Sequence, residues 1–227
     1  MDADIFREMF PQDYMKRFLE KNVRIDGRQF KQARQIVIEF GEGFTNYQYA
    51  DCFISVKHII REIELKEVDL NQCIKLSINM DNQEDLSNLD KARIEKHYLN
   101  QIQDIVIQIV DPQRLRTQND KVSQIELFIR VAGADGSLLS HLINCVSFSL
   151  QQIKQFDSKM SIIYKEIKCS TFGVFEDKIL VDPSDFEEKN SSIITVISFL
   201  DDEQFIFKKY DGKSLNYNQI QQIIQSF

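Results

Sequence analysis

The spacing of apolar residues predicts helices that separate groups of strands. In residues 11–22, Tyr14, Phe18 and Leu19 fall on one helical face, with charged residues opposite them. Residues 138–156 have a broad apolar surface, which indicates a helix buried against a sheet. The predicted helices cover residues 11–22, about 90–110, 138–156 and 218–227.

Shorter segments carry the spacing of strands. Residues 74–80 alternate apolar and polar side chains, as a half-buried strand does. The strands occur in groups between single long helices, so we predict an α+β sandwich within the α/β class rather than a doubly wound sheet. The glycines form neither GxGxxG nor GxxxxGK[ST], which argues against those nucleotide folds. The predicted strands cover residues 35–40, 47–60, 74–80, 125–131, 161–168, 172–175, 179–181, 193–199 and 205–209.

Composition and charge narrow the class of function. With 227 residues and 43% hydrophobic residues, the chain can bury a sizeable core. Its net charge of −7 is unfavourable for a free-standing nucleic-acid binder, because such proteins gain most of their affinity by neutralising phosphates. We therefore expect it to bind RNA only as part of a surface shared with more basic partners.

The cysteines and the chain ends indicate a reducing compartment. The four cysteines are scattered in apolar settings without a CxxC pair, so buried free thiols are expected rather than disulfides or zinc. His58, His97 and His141 share no short spacing, and we assign them no chemistry. No apolar run reaches the roughly 20 residues that span a membrane, and the acidic N-terminus is unlike a signal peptide. We expect a protein of the cytosol or nucleus, with no metal, cofactor or membrane partner.

The most heavily charged part of the pattern follows a predicted β-hairpin. The apolar runs 172–175 and 179–181 flank a charged turn, and Asp182-Pro183 ends the second strand because proline has no N–H for a sheet. Such an acidic strand end is either a metal or acid/base site or a solvated turn. We favour the solvated turn, because charged clusters usually lie on the surface. The carboxylates are Asp182, Asp185, Glu187 and Glu188.

A second charged motif lies near the N-terminus. Arg24 and Arg28 flank an Asp26-Gly27 turn, where their guanidinium groups can bind backbone carbonyls or carboxylates. Either the arginines face RNA, or they clamp the N-terminal helix to a sheet through Asp26 and carbonyl groups. We favour the clamp, because an aspartate between two arginines indicates internal pairing.

Three segments, in this order, resemble the RNase PH-like proteins. Residues 14–28 resemble the N-terminal helix and R-x-D-G-R motif of that family, and residues 125–153 resemble its central strand, turn and long helix. Residues 181–188 resemble its D-P-[ST]-x-x-E-E signature, and the Gly212 turn before a last helix also fits. The resemblance implies one RNase PH domain over residues 1–227, of the ribosomal protein S5 domain 2-like class.

Within that family, Asp-Pro-Ser followed by Glu-Glu is similar to the non-catalytic branch of the RNA exosome ring subunits. The approach to Arg24, Asp-Tyr-Met-Lys-Arg-Phe-Leu, is most similar to the OIP2-type subunits. The resemblance implies a six-membered hetero-oligomeric ring with other RNase PH-like subunits, RNA-binding cap proteins and RNA in the assembled channel. It also implies a role in 3′→5′ RNA processing and degradation, including that of rRNA, in the nucleus, nucleolus and cytoplasm.

The residues that carry catalysis in the family are altered here. Catalytic relatives combine two aspartates near the end of the hairpin strand with phosphate-binding arginines, one of them in a turn before the long helix. In this chain the turn is residues 133–137, with Asp135 where a cation is needed and Ser137 as a candidate N-cap. Asp182 matches the first carboxylate, and Glu188 replaces the second. Phosphorolysis requires a cationic site for phosphate beside anionic RNA.

A strand motif is altered as well, since residues 49–56 lack the Gly and Thr of the family's Gly-x-Thr-x-Val sequence. We therefore predict a catalytically inactive structural subunit, in which Asp182 and Glu188 are vestigial. One alternative is an active phosphate-dependent 3′→5′ exoribonuclease that uses these two carboxylates. Another is a free-standing acidic RNA-processing factor.

Three arginines are the candidates for direct RNA contact. Arg114 and Arg116 lie in a predicted polar loop after Asp111-Pro112, where a solvated loop is the competing interpretation. Arg93 lies on the preceding helix, at a position where an active relative offers a phosphate ligand, and an ordinary surface arginine is the alternative.

Overall fold

The protein forms two β-sheets and a set of helices in a computed structural model that describes residues 3–64, 73–81, 87–117, 121–153, 162–163, 165–200, 204–211 and 214–227. The helices are α1 (Ala3–Met9), α2 (Pro11–Leu19), α3 (Asn88–Ile109), α4 (Leu138–Gln152), α5 (Asp185–Lys189) and α6 (Tyr217–Ile224), with a short 3-10 helix at Pro112–Leu115. The strands are β1 (Ile36–Gly41), β2 (Phe44–Tyr49), β3 (Cys52–Glu64), β4 (Ile74–Asp81), β5 (Lys121–Ala132), β6 (Ile167–Phe175), β7 (Lys178–Val181), β8 (Ser192–Phe199) and β9 (Gln204–Asp211).

The first sheet has the order β1-β2-β3-β5-β4, in which β4 runs parallel to β5 and the other neighbours are antiparallel. The strand region predicted over residues 47–60 is confirmed as strand but contains a turn, because the hairpin β2-β3 turns at Ala50 and Asp51. Ala50 adopts a φ of +46°, which is uncommon for a residue with a side chain. Ala-Asp is a weak turn signal, so strand pairing rather than local preference bends the chain there.

The second sheet has the order β7-β6-β8-β9, with antiparallel neighbours throughout. The hairpin predicted from the two apolar runs is confirmed: β6 and β7 pair from Phe172↔Val181 to Phe175↔Lys178. Of the strand predicted over residues 161–168, residues 161 and 164 lie outside the described residues, and β6 begins only at Ile167. Upstream of it, Ile163 forms an isolated bridge with Val110.

Helix α4 joins the two sheets. It contacts β2 and β3 of the first sheet and β6 and β8 of the second. Most of its residues are buried, as its broad apolar surface predicted. One cluster of buried side chains consequently includes residues of both sheets and of α3. This arrangement confirms the predicted α/β class and α+β sandwich.

Other helix predictions are confirmed in type, with shifted ends. Helix α2 is shorter than residues 11–22, and its fully buried side chains are Met15 and Leu19. Helices α1 and α5, of seven and five residues, were missed because they are too short to show a helical repeat. The predicted ends at residues 154–156 and the Gly212 turn lie outside the described residues.

All four cysteines are buried free thiols, as predicted. Among the described helices, none combines the length and apolar character that crossing a bilayer would require.

Candidate functional site

Asp182 is the centre of a buried cluster of charges, which we call the Asp182 corner. It follows β7, and its backbone N–H donates to the Thr171 carbonyl at 2.8 Å. Its φ is +53°, a left-handed conformation that is rare without glycine. Asp182 and Glu187 are 5% and 0% exposed, so the predicted solvated turn is wrong for both. The corner comprises Arg24, Arg28, Arg34, Asp135, His141, Asp182, Glu187 and Glu188.

Arg34 holds the Asp182 carboxylate. Its backbone N–H and its Nε both donate to Asp182 Oδ2, at 2.8 and 2.9 Å. Burial alone would raise the pKa of Asp182, but hydrogen bonds from Arg34 and His141 hold that pKa well below its usual range. Burial opposes the charge of Arg34 in the same way, and Asp182 and Asp135 outweigh it, so the pKa of Arg34 is raised. Both groups therefore stay ionised at physiological pH.

Arg24 is fully buried and forms a bidentate pair with Glu187. Its Nε donates to Glu187 Oε1 at 2.9 Å, and its Nη2 donates to Glu187 Oε2. The remaining guanidinium donors reach the carbonyls of Val181 at 2.7 Å and Asp182 at 3.0 Å. Glu187 also closes the capping box of α5 with Ser184. Arg24 thus ties the segment after α2 to the end of β7 and to α5.

Arg28 completes the contacts of the R-x-D-G-R motif. It donates to Asp26 Oδ2 at 2.7 Å and to the Asp182 carbonyl at 3.0 Å. Burial opposes the charge of Asp26, but hydrogen bonds from Arg28 lower its pKa. Gly27 has a φ of +82°, which the Asp-Gly turn requires. The motif makes the contacts of an internal clamp between the N-terminal segment and the second sheet.

The turn before α4 brings Asp135 to the same corner. Its carboxylate accepts from Arg34 Nη1 at 3.1 Å and from the Asp185 N–H at 2.9 Å. Gly136 has a φ of +68°, and a Cβ there would lie 2.5 Å from the Pro183 carbonyl oxygen. Only glycine allows this turn to approach Pro183 so closely. Asp135 in this turn therefore forms an ion pair with Arg34.

His141, to which the sequence assigned no chemistry, lies on the inner side of the corner. Its Nε2 and the Asp182 carboxylate are 3.1 Å apart, and its Nδ1 and the Tyr47 hydroxyl are 2.9 Å apart. The ring stacks on Tyr49 with centroids 3.7 Å apart. Burial lowers the pKa of His141, so the ring is neutral, donates to Asp182 and accepts from Tyr47. It is a satisfied buried histidine that orients Asp182.

Glu188 approaches from α5. Its Oε2 accepts from the Ser137 N–H at 2.9 Å, at the N-terminus of α4. Burial raises the pKa of Glu188, and the charges of Asp185 and Asp182 add to that effect. Ser137 is the residue before α4, but its Oγ donates to the Pro183 carbonyl at 2.9 Å rather than capping the helix. Ser137 therefore occupies the predicted N-cap position of α4, but its side chain does not cap the helix.

The corner holds three arginines against four carboxylates, which leaves a negative surplus. Every arginine is already engaged by carboxylates of this chain. An incoming phosphate would have to displace one of them in a region that repels anions. Among the described residues, no group of three or more His, Cys, Asp or Glu side chains is placed to hold a metal ion.

The three arginines proposed for RNA contact do not form one site. Arg93 is exposed near the start of α3, and Arg114 follows the end of that helix, roughly 25 Å away along the axis. Arg114 donates to the Ile163 carbonyl at 2.9 Å and lies 3.6 Å from Asp111, whereas Arg116 is exposed. Arg93 lies at the end of α3 that is near the end of β4, since Glu95, two residues further on, accepts from the Met80 N–H.

Sequence reasoning missed Arg34, His141 and Tyr47. Arg34 lies before β1, Tyr47 on β2 and His141 on α4, and tertiary folding alone brings them together around Asp182. The available signal was Arg34, an unassigned arginine soon after the R-x-D-G-R motif, because a buried acidic segment needs cations as partners.

No protein-family model matches this chain, and no curated protein matches it in sequence. Solved structures do match in fold. A chain of an archaeal exosome core superposes with a TM-score of 0.72 at 20% identity, covering 100% of this chain and 94% of that one. A chain of the Archaeoglobus fulgidus exosome with RNA bound to the active site has a TM-score of 0.69 at 18% identity, covering 99% and 94%.

The structure of a plant protein also matches this fold. Rrp46 from rice (Oryza sativa) superposes with a TM-score of 0.64 at 13% identity, covering 89% of this chain and 92% of that one. At such identities the likeness shows the fold. The chain therefore has the RNase PH-like fold of exosome core subunits, as its motifs predicted.

Proposed function

We propose that this protein is a catalytically inactive structural subunit of an exosome core ring. The observation that carries the proposal is the closure of the Asp182 corner on itself. Arg34 is held by Asp182 and Asp135, Arg24 by Glu187, and Arg28 by Asp26 and Asp182, so no arginine of the corner is left to receive phosphate. The fold that this chain shares with chains of two archaeal exosome structures and with rice Rrp46 supports the ring assignment.

The partners follow from the same assignment. We propose a six-membered hetero-oligomeric ring with other RNase PH-like subunits, capped by RNA-binding proteins, with RNA passing through the assembled channel. The −7 net charge of this chain supports RNA binding by the assembly rather than by this chain alone. Arg93 and Arg116, being exposed, are better placed for RNA than Arg114. A nuclear, nucleolar and cytoplasmic location belongs to this proposal.

The position in the ring is a finer proposal. The Asp-Pro-Ser sequence followed by Glu-Glu, and the approach to Arg24, support the OIP2-type position of the non-catalytic branch. The contacts of these residues are internal: Glu187 pairs with Arg24, and Glu188 accepts from Ser137. In this chain the signature stabilises the corner.

Affinity purification of the tagged chain from its own cells, with quantitative mass spectrometry, tests the assembly. We expect five other RNase PH-like proteins and cap proteins in near-equal amounts. Recovery of the chain alone, as a sharp monomer peak, would instead support a free-standing acidic factor.

The second candidate is a phosphate-dependent 3′→5′ exoribonuclease that uses Asp182 and Glu188. It is favoured by one observation: Glu188 accepts from the Ser137 N–H, and the Ser137 hydroxyl donates to the carbonyl of Pro183, the residue after Asp182. It predicts phosphate-dependent release of nucleoside diphosphates by the assembled ring. Because Asp182→Ala also disturbs the fold, Glu188→Gln is the matched variant. An assembled wild-type ring in which this chain adds no such activity contradicts the second candidate.

A further inference from the structure

Strand β1 has the sequence of a buried strand but lies at an open edge. Its residues Ile-Val-Ile-Glu-Phe are apolar at four of five positions, a pattern typical of strands covered on both faces. Yet Val37 is 57% exposed and Phe40 is 49% exposed. Proteins normally shield such apolar edges, because they pair readily with other chains. The edge of β1 is therefore free to pair with another chain.

The edge borders a groove between the two sheets, which we call the β1 groove. Ile36 and Ile38 form one wall and the first half of β6 forms the other, with α4 as the floor. On α4, the half-buried residues that face the groove are Asn144, Phe148 and Gln151, at helical spacing. The groove encloses about 530 Å³, and the Asp182 corner closes one end of it.

The two strand edges that line the groove differ in their backbone hydrogen bonds. On β6, the Asn144 side chain accepts from the Cys169 N–H at 2.9 Å and donates to the Cys169 carbonyl at 2.8 Å. The Thr171 carbonyl accepts from the Asp182 N–H. Within the described chain, β1 pairs with β2 alone. Every second N–H and C=O of β1 therefore points away from β2, toward the groove side.

We propose that β1 receives an extended strand from a neighbouring RNase PH-like subunit, which pairs with its open edge and places alternate apolar side chains in the β1 groove. The unpaired backbone selects an extended protein segment as the occupant. The six residues of β1 are far fewer than the roughly 20–30 per side of a standard interface, so this pairing is one part of a larger contact, as in a ring, and not a self-sufficient dimer. The inference rests on the proposed function.

The test compares the free chain with the complex purified from its own cells. In hydrogen exchange, every second amide of β1 exchanges rapidly in the free chain and gains protection in the complex. A photo-crosslinking amino acid in place of Val37 then captures a peptide of another RNase PH-like subunit. Unchanged β1 exchange in an assembled ring, or capture of RNA or a cap protein, overturns the inference and leaves the ring assignment standing. Recovery of the wild-type chain alone overturns both.

A matched pair of variants tests specificity. Phe40→Asp on β1 introduces a charge at the open edge and lowers recovery of the neighbouring subunit by about tenfold or more. Phe207→Asp is the control, because Phe207 is 41% exposed on β9, the edge strand of the other sheet. Equal losses for the two variants contradict the assignment to β1. Thermal unfolding of each free variant verifies that the fold is intact.

Discussion

The Asp182 corner and the β1 edge border the same groove, but the chain completes one and leaves the other open. At the corner, Arg24, Arg34 and His141 satisfy buried carboxylates within the chain. At the edge, the apolar side chains of Ile36, Val37 and Phe40 are more than a third exposed, and one side of the β1 backbone has no strand partner within the described chain. A buried charge needs its partner within the folded chain, because desolvation of an unpaired charge is too costly. An apolar strand edge can remain exposed until another chain pairs with it. The corner therefore serves folding, and the edge is available for assembly.

Removing Arg24 gives the largest expected effect. Arg24→Met leaves Glu187 buried without its cation, and we expect a loss of about 3–5 kcal/mol in the free energy of unfolding. Urea denaturation of the free chain measures it. The double variant Arg24→Met, Glu187→Met removes both charges and recovers much of the loss. A loss below about 1 kcal/mol for the single variant would show that the corner is not needed for folding.

The charge of Asp182 makes corner stability depend on pH. Its pKa is lowered in the folded state, so the unfolded chain binds a proton first as the pH falls. The stabilisation is thus present above the unfolded value of about 3.9 and is lost as the pH falls toward the folded value. Asp182→Asn should cost about 3 kcal/mol at pH 7, and this gap should narrow below about pH 4. A gap that stays constant with pH contradicts the ionised pair.

Substitutions at two glycines distinguish the cost of a strained backbone from the cost of a steric clash. Gly136→Ala adds a Cβ against the Pro183 carbonyl at a positive φ, and we expect a loss above about 2 kcal/mol. Gly27→Ala is the matched control, because Gly27 also has a positive φ but has no atom within 4 Å of the added Cβ. It should cost only about 1–2 kcal/mol. Equal losses would mean that the close approach to Pro183 contributes nothing.

The effect of Glu188 on stability should change with pH in the opposite direction from that of Asp182. Burial raises its pKa, so the folded state binds the proton more tightly and its ionised form opposes folding as the pH rises. Glu188→Gln keeps an oxygen for the Ser137 N–H, and we expect stability at pH 7 to be equal or up to about 1 kcal/mol higher. The difference should vanish below about pH 4.3. Chemical denaturation across this range checks the sign, and a large loss at pH 7 would contradict it.

The smallest effect is expected at the edge. Val37→Thr keeps a β-branched side chain on β1 and should change the stability of the free chain by less than about 0.5 kcal/mol. Thermal unfolding of the free chain provides the measurement. A large loss would mean that the edge already serves the fold, which would remove the contrast with the corner.

The sequence alone determined the elements with strong local signals. The alternating residues of β4, the apolar surface of α4 and the hairpin before Asp182-Pro183 all appeared where their patterns placed them. These patterns work because burial on one face follows directly from residue spacing. The β2–β3 turn at Ala50 and the short α5 escaped detection, because neither has a distinct local signal.

Only the tertiary structure decided what the acidic segment does. As a sequence, Asp182 to Glu188 is a cluster of carboxylates, and a solvated turn was the natural interpretation. Its partners Arg24, Arg34 and His141 come from segments more than 40 residues away in the chain, so no local pattern could predict the pairing. A carboxylate can be buried only where cations and donors meet it, and the packing of two sheets around α4 creates that place.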